Sequence, residues 1–430
     1  MKKFLFFTLC SLLTSSAMAA LSSTETRIVN HIDNTNPQAV ELLEHIVNIN
    51  SGTMNFAGVR NVANVLIPEF KKLGFKAHFE EGTTFNRAGH LIAELQSGKG
   101  PKILLIGHLD TVFEADSPFQ QFELLDNNQA KGPGISDMKG GDIIILQSLK
   151  ALKDAGELAD MNIKVVMTGD EELSGRPLAL SKKALIDAAE WADIAIGFEG
   201  GDGKAVTANI SRRGTVDWTL TVKGNAAHSS QVFSDEVGAG AIYEVSRILH
   251  RFYQELRSES LLTFNPGRIM GGTTVEHDKA NNSGSVFGKN NVVAQSAIVT
   301  GDIRSLSLQQ LTRVENKMRS IVAEHLPQTE ADISFGEGYP PMAPSEGNKK
   351  LLSLYSRISQ DLGQGEVVAV NPLDAGAADV SFTAEFVDMA IDGLGLSGSG
   401  GHTVEERADL NALSAQTKRA ALLLYRLKYR

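Results

Sequence analysis

Lys102-Ile103-Leu104-Leu105-Ile106-Gly107-His108-Leu109-Asp110 and Ile163-Lys164-Val165-Val166-Met167-Thr168-Gly169-Asp170-Glu171-Glu172 are the stretches on which the fold turns. Each is a short apolar run followed at once by histidine or acidic side chains. Runs of this length with little polar alternation suit strands buried on both faces of a parallel sheet. In such sheets ligands sit beyond the carboxyl ends of the strands. The two runs therefore predict that His108, Asp110, Glu171 and Glu172 converge at one edge.

Outward from these strands, the chain alternates helix and strand between Pro37 and about Asn209. Helices are expected over 37–48, 58–73 and 139–155, and strands over 90–95, 102–107, 163–168 and 193–198. This βα alternation implies α/β architecture, a mainly parallel sheet with helices on both faces. After Ser211 the order changes. Strands at 215–222, 262–270, 292–304 and 330–336, with helices at 236–255 and 307–325, give βαββαβ, the order of a ferredoxin-like α+β unit. The Gly-, Asn- and Ser-rich segment 271–291 reads as a long mobile loop inside it. From about 348 a helix, a strand at 387–392, a Gly/Ser-rich loop at 393–401 and a closing helix from about 411 return to the first pattern. The expected domains are 20–210 with 342–430, and 211–341 inserted between them.

A chain of 430 residues, 42% hydrophobic and 21% charged, can bury a large core and suits two domains. Residues 1–19 differ from the rest. Lys2-Lys3, the apolar stretch Phe4 to Leu13 and the small-x-small Ala17-Met18-Ala19 form the pattern of a secretory leader, too short to span a bilayer. Export to the periplasm or the medium is expected. The single cysteine, Cys10, lies in that leader, so stability would rest on core size and not on disulfides. Loss of Lys2 and Lys3 takes the formal charge from -10 to -12. This acidic balance, with no basic stripe, argues against a nucleic-acid partner. No later segment reads as a membrane span.

Further candidate ligands fall at similar places. Glu199 follows Ile194-Ala195-Ile196-Gly197-Phe198, Asp137 sits in the glycine loop Gly132-Pro133-Gly134-Ile135-Ser136-Asp137, and His402 follows Gly398-Ser399-Gly400-Gly401. Carboxylates gathered in one crevice resist ionising together unless cations compensate them. Zinc accepts both imidazole and carboxylate ligands. Two such ions about 3.5–4 Å apart can share a carboxylate and lower the pKa of water to about 7. One carboxylate must then stay free to take the proton.

The motifs Gly107-His108-Leu109-Asp110-Thr111, Gly132-Pro133-Gly134-Ile135-Ser136-Asp137-Met138-Lys139-Gly140-Gly141 and Asp170-Glu171-Glu172 resemble those of metallopeptidase family 20. That group includes glutamate carboxypeptidase, succinyl-diaminopimelate desuccinylase, acetylornithine deacetylase and the aminoacylases, and the likeness is greatest to the bacterial glutamate carboxypeptidase branch. The resemblance implies two Zn2+ per subunit, with Co2+ or Mn2+ as substitutes. By it, Asp137 bridges the ions, Glu172 and His402 complete one, and His108 and Glu199 complete the other. It further implies Glu171 as general base and Asp110 as the residue that hydrogen-bonds the far nitrogen of His108. His228 would donate to the oxyanion, commonly in the partner subunit's site, and Asn291 and Arg304 would hold the substrate carboxylate. The inserted domain would serve as lid and as the contact of a homodimer. Where the family often has Gly-Gly-Thr-Asp or Gly-Gly-Ser-Asp, this chain has Gly376-Ala377-Ala378-Asp379, without the hydroxyl.

The reading is thus an exported di-zinc exopeptidase that releases a C-terminal amino acid from a small peptide or an N-acyl amino acid. A deacylase or dipeptidase of the same family would differ in pocket shape only. An aminopeptidase of the related zinc fold would lack the βαββαβ insertion. A binding protein that kept the shell without the chemistry is the alternative of another class.

Overall fold

Ile103 and Leu105 of the strand Lys102–His108 pack into one apolar cluster, while Leu104 and Ile106 pack into another on the opposite side. Both faces of this strand are covered, as its unbroken apolar run requires. The computed structural model describes residues 21–429 apart from Ser97, Lys99 and Ala280. The leader expected at 1–19 lies outside the described residues.

Helices α1 (Ser23–Val47) and α2 (Phe56–Leu73) precede β1 (Lys76–Glu81), β2 (Gly89–Gln96) and β3 (Lys102–His108). After them come α3 (Gly140–Asp154), β4 (Asn162–Thr168), α4 (Lys183–Trp191) and β5 (Ile194–Gly197). Much later, α7 (Glu346–Asp361), β12 (Met389–Ile391) and α8 (Leu410–Lys428) return to the same layer structure. The six-stranded sheet has the order β1-β2-β4-β3-β5-β12. Strands β4, β3, β5 and β12 are parallel, and β2 runs antiparallel to both of its neighbours. Ile28, Leu43, Leu149 and Leu424, from α1, α3 and α8, cover one face, and Leu185 and Ala188 of α4 cover the other. No helix among the described residues is long and apolar enough to cross a membrane.

Between the two parts lie β6 (Gly214–Gly224), α5 (Ala241–Leu256), β7 (Thr263–Gly272), β8 (Thr274–Asp278), β9 (Ser283–Phe287), β10 (Ser296–Ser305), α6 (Leu308–Val322) and β11 (Thr329–Phe335). The second sheet is antiparallel, in the order β7-β10-β6-β11, and its helices share a separate core around Trp218, Leu220, Ile248, Phe252, Val299 and Met318. This is the βαββαβ sandwich.

The structure corrects the sequence reading at three places. The first helix begins at Ser23 and contains Pro37, where the reading started a helix at 37. Its start is a capping box in which the Ser22 hydroxyl accepts from Glu25 N and the Glu25 carboxylate accepts from Ser22 N. The mobile loop expected at 271–291 holds instead the antiparallel hairpin β8–β9, in register from Thr274 opposite Phe287 to Asp278 opposite Ser283. Strand β1 went unread because Lys76-Ala77-His78-Phe79-Glu80-Glu81 is an edge strand with one polar face, paired only to β2.

Candidate metal centre and active site

The adjacent parallel strands β4, β3 and β5 end together, and each delivers a polar segment to the same edge. Strand β3 ends at His108, β4 is followed by the turn carrying Glu171 and Glu172, and β5 by Phe198-Glu199. Two further loops come from far along the chain. The short strands Gln129–Lys131 and Arg407–Asp409 pair antiparallel, which sets the Asp137 loop beside the loop of His402. His402 adopts a left-handed φ of 62° there.

Asp137 lies at the centre. Its Oδ1 is 3.3 Å from His108 Nε2, and its Oδ2 is 3.0 Å from His402 Nε2. Glu199 Oε1 is 3.4 Å from His108 Nε2, and Glu172 Oε2 is 3.3 Å from His402 Nε2. Two donor sets result, His108–Asp137–Glu199 and Asp137–Glu172–His402, each with ligand atoms within 4.8 Å of one another. Both are mixed imidazole and carboxylate sets of the kind that suits divalent transition metals. Glu172 Oε1 is buried without a hydrogen-bond partner, an arrangement that a cation would satisfy. The residues present therefore fit a pair of metal ions that share Asp137.

The charges agree with this. Burial pushes the Glu199 carboxyl up to about 7. Burial and the charge of Glu199 hold Glu171 well above the ordinary carboxylate range. Hydrogen bonds to Asp137 and Glu172 push His402 up to about 11. At neutral pH His402 therefore carries a proton that a cation must displace, because only the neutral ring is a ligand. Metal loading near pH 7 is expected to release at least one proton per chain, and apparent affinity to rise as pH rises. Calorimetric titration with Zn2+ in two buffers of different ionisation enthalpy reads this directly. Equal heats in both buffers would refute it.

Asp110 is fully buried and supports both sides of the site. The His108 Nδ1 donor meets the Asp110 backbone carbonyl at 3.0 Å, and the carboxylate Oδ1 lies farther off at 3.4 Å. The carboxylate's nearer bonds differ from those the sequence implied. Its oxygens accept from Glu171 N and Glu172 N, each at 3.1 Å, and from Thr53 Oγ1 at 2.6 Å. Asp110 thus orients the paired glutamates as well as the ring.

Several supporting residues escaped the sequence reading. Buried Glu406 accepts from Gly134 N, Ser136 N, Asp137 N and the Ser136 hydroxyl at 2.9–3.1 Å, which shapes the Asp137 loop. Arg212 grips Asp392 Oδ2 at 2.9 and 2.7 Å, and the other oxygen of Asp392 accepts from Glu199 N at 3.3 Å. Lys182, fully buried, bridges Asp170 and Asp379 at 3.1 and 3.0 Å. Asp379 belongs to the segment whose missing hydroxyl the sequence had marked. No local pattern sets these residues apart.

A cavity of about 480 Å³ opens over the cluster, lined by Asp137, Glu171, Glu172, Glu199, Arg212 and His402 with many glycines. His228, Asn291 and Arg304 do not line it. His228 and Asn291 are exposed neighbours in the inserted sandwich, where Ser229 N donates to the Asn291 carbonyl at 2.9 Å. Arg304 Nε donates to Asp302 Oδ2 at 2.9 Å.

The sequence profile of peptidase family M20/M25/M40 matches residues 104–426. Carboxypeptidase G2 of Pseudomonas sp. (strain RS-16) is 26% identical over 394 residues, covering 90% of this chain and 89% of that protein. Among solved structures, aminopeptidase PepT from Bacillus cereus superposes with a TM-score of 0.69 at 17% identity, covering 91% of this chain and 98% of the other. The Bacillus subtilis YXEP protein, described as a dinuclear metal-binding peptidase of the M20 family, gives 0.63 at 14% identity over 92% and 99%. By the profile match and the fold, the chain belongs to peptidase family M20/M25/M40 and is a metallopeptidase.

Proposed function

We propose that this chain is an exported di-zinc carboxypeptidase that hydrolyses the amide next to a free carboxylate in small peptides or N-acyl amino acids. The observation that carries the reading is Asp137, which presents one oxygen to each histidine and so offers two donor sets joined by one carboxylate. Glu171 belongs to neither set, yet it lines the same cavity. The similarity to carboxypeptidase G2 over most of both chains supports the substrate class.

Two zinc ions held there would lower the pKa of water and polarise the scissile carbonyl. Glu171 accepts the proton as the water oxygen bonds to the carbonyl carbon. It returns that proton to the amide nitrogen as the C–N bond breaks. Asp110 keeps His108 and the Glu171–Glu172 turn in place. Arg304 and Asn291 would hold the free carboxylate, and His228 would donate to the oxyanion. In this structure those three lie on the inserted sandwich, so their use requires that 211–341 act as a lid or that a second copy supply them. Exposed Phe233, Ile242, Tyr243, Ile269, Val286 and Phe287 give the inserted unit an apolar surface suited to a homodimer. Residues 1–19 would direct the chain to the periplasm or the medium.

Metal analysis of the purified mature protein, coupled to a hydrolysis panel, tests the reading. The panel contains C-terminal Glu, Asp and neutral dipeptides together with N-acetyl and N-succinyl amino acids. Two zinc ions per chain and release of C-terminal residues are expected. Turnover of the acyl compounds alone would establish a deacylase. A metal-loaded protein inert to the whole panel would favour a binding protein.

A further inference from the structure

The chain crosses between the two cores twice, at 211–215 and at 339–342, and the two crossings are bonded to each other. Thr215 N donates to the Tyr339 carbonyl at 3.0 Å, and Arg212 and Met342 exchange backbone hydrogen bonds, each at 2.9 Å. The contact is backbone against backbone. A Cβ on Gly338 would lie 1.8 Å from the Thr215 carbonyl oxygen, and one on Gly214 would lie 2.7 Å from the Tyr339 carbonyl oxygen. The crossings are therefore held together as one strut between the inserted sandwich and the catalytic sheet.

Tyr339 projects from this strut into the catalytic turn. Its hydroxyl is 3.0 Å from the Glu171 carbonyl oxygen and 2.8 Å from Ser174 Oγ. A carbonyl only accepts, so the phenol donates to Glu171 and its oxygen accepts a hydrogen bond from the Ser174 hydroxyl. The ring is wedged edge-on against Phe382 at 4.9 Å, and the buried Lys182 ammonium lies 5.4 Å from its centroid. Lys182 in turn binds Asp170, the residue before Glu171. Aromatic packing and this cation fix the ring, and the ring fixes the hydroxyl.

We infer that Tyr339 is a positioning residue, through which the strut of the inserted sandwich sets the Glu171 backbone. The inference rests on Glu171 as the proton-transferring group. Asp110 holds the amide side of Glu171 from the segment that follows β3, and Tyr339 holds its carbonyl side from the strut. The geometry of the base thus depends on where the inserted sandwich stands.

Tyr339→Phe in the full mature chain removes the hydroxyl and keeps the ring. One hydrogen bond of this kind corresponds to about 3- to 10-fold in kcat, with KM within about twofold and metal content unchanged. Ser174→Ala, which leaves the Tyr339–Glu171 bond in place, should keep kcat within about twofold, while Phe382→Leu, which loosens the packing that fixes the ring, should lose no more than Tyr339→Phe. Hydrogen exchange of the 171–173 amides should quicken in Tyr339→Phe and stay unchanged in Ser174→Ala. Wild-type kcat in Tyr339→Phe would overturn the inference, as would an equal loss in Ser174→Ala. Should the wild type hydrolyse nothing in the panel, the functional reading fails. The exchange rates then still decide whether Tyr339 holds the turn, and unchanged protection at 171–173 would refute it.

Discussion

Glu171→Gln will bind metal as the wild type does and lose about 10²- to 10⁴-fold in kcat, the range of general acid–base catalysis. Gln keeps the shape of Glu, and the contacts that hold residue 171 are made by its backbone. Its N–H goes to Asp110, and its carbonyl accepts from Tyr339. Neither bond depends on the side chain. What the change removes is the one carboxylate of the cavity's Asp137, Glu171, Glu172 and Glu199 group that belongs to neither donor set. In the metal-free chain burial and the charge of Glu199 disfavour ionised Glu171, so there a neutral amide should leave the melting temperature unchanged or raise it. Metal content, melting temperature and kcat measured on one preparation check this. Near-normal turnover would end the assignment of Glu171 as base, and loss of metal would make it a ligand.

Asp137→Ala should abolish loading of the paired site and cost at least about 10³-fold in kcat, since the metal contribution is several kcal/mol and each 1.36 kcal/mol is tenfold. Both donor sets contain Asp137, so a single truncation leaves each with one histidine and one glutamate. The loop itself should survive. Glu406 holds it through the backbone N–H groups of Gly134, Ser136 and Asp137, which alanine retains. Asp137→Asn is the instructive companion. It keeps one acceptor oxygen and places an amide donor where the other oxygen was, so one ion per chain is expected. Two ions retained by Asp137→Ala, read by elemental analysis after dialysis, would show that the bridging assignment is wrong.

The candidate ligands were legible because each stands directly after a buried strand or in a glycine-rich loop. Ile103 to Ile106, apolar throughout, suits an interior strand, and the polar residue that follows such a strand emerges at the sheet's edge. The hairpin at 274–287 was illegible for the opposite reason. Ser283-Gly284-Ser285 has little strand propensity and Glu276-His277-Asp278 little apolar pattern, and only the pairing of Thr274 with Phe287 and its successors makes strands of them. Glu406 shows the same limit at a single residue. Its neighbour Glu405 is an exposed partner of Lys131, while Glu406 is buried under three backbone N–H donors, and nothing in Glu405-Glu406 tells them apart.

By itself, the sequence determined the parallel strands of the sheet, the insertion and the candidate metal-binding side chains, because hydrophobic periodicity and strand-end position are local properties. Only the tertiary structure decided how those side chains share their work. Asp137 faces both histidines, Asp110 spends its carboxylate on the Glu171–Glu172 turn, and Tyr339 reaches that turn from the strut. Such relations join residues far apart in the chain, as with Gly134 and Glu406, 272 positions from one another. Their physical basis is the burial of polar groups that must find partners wherever the fold brings them, and no spacing along the chain encodes that.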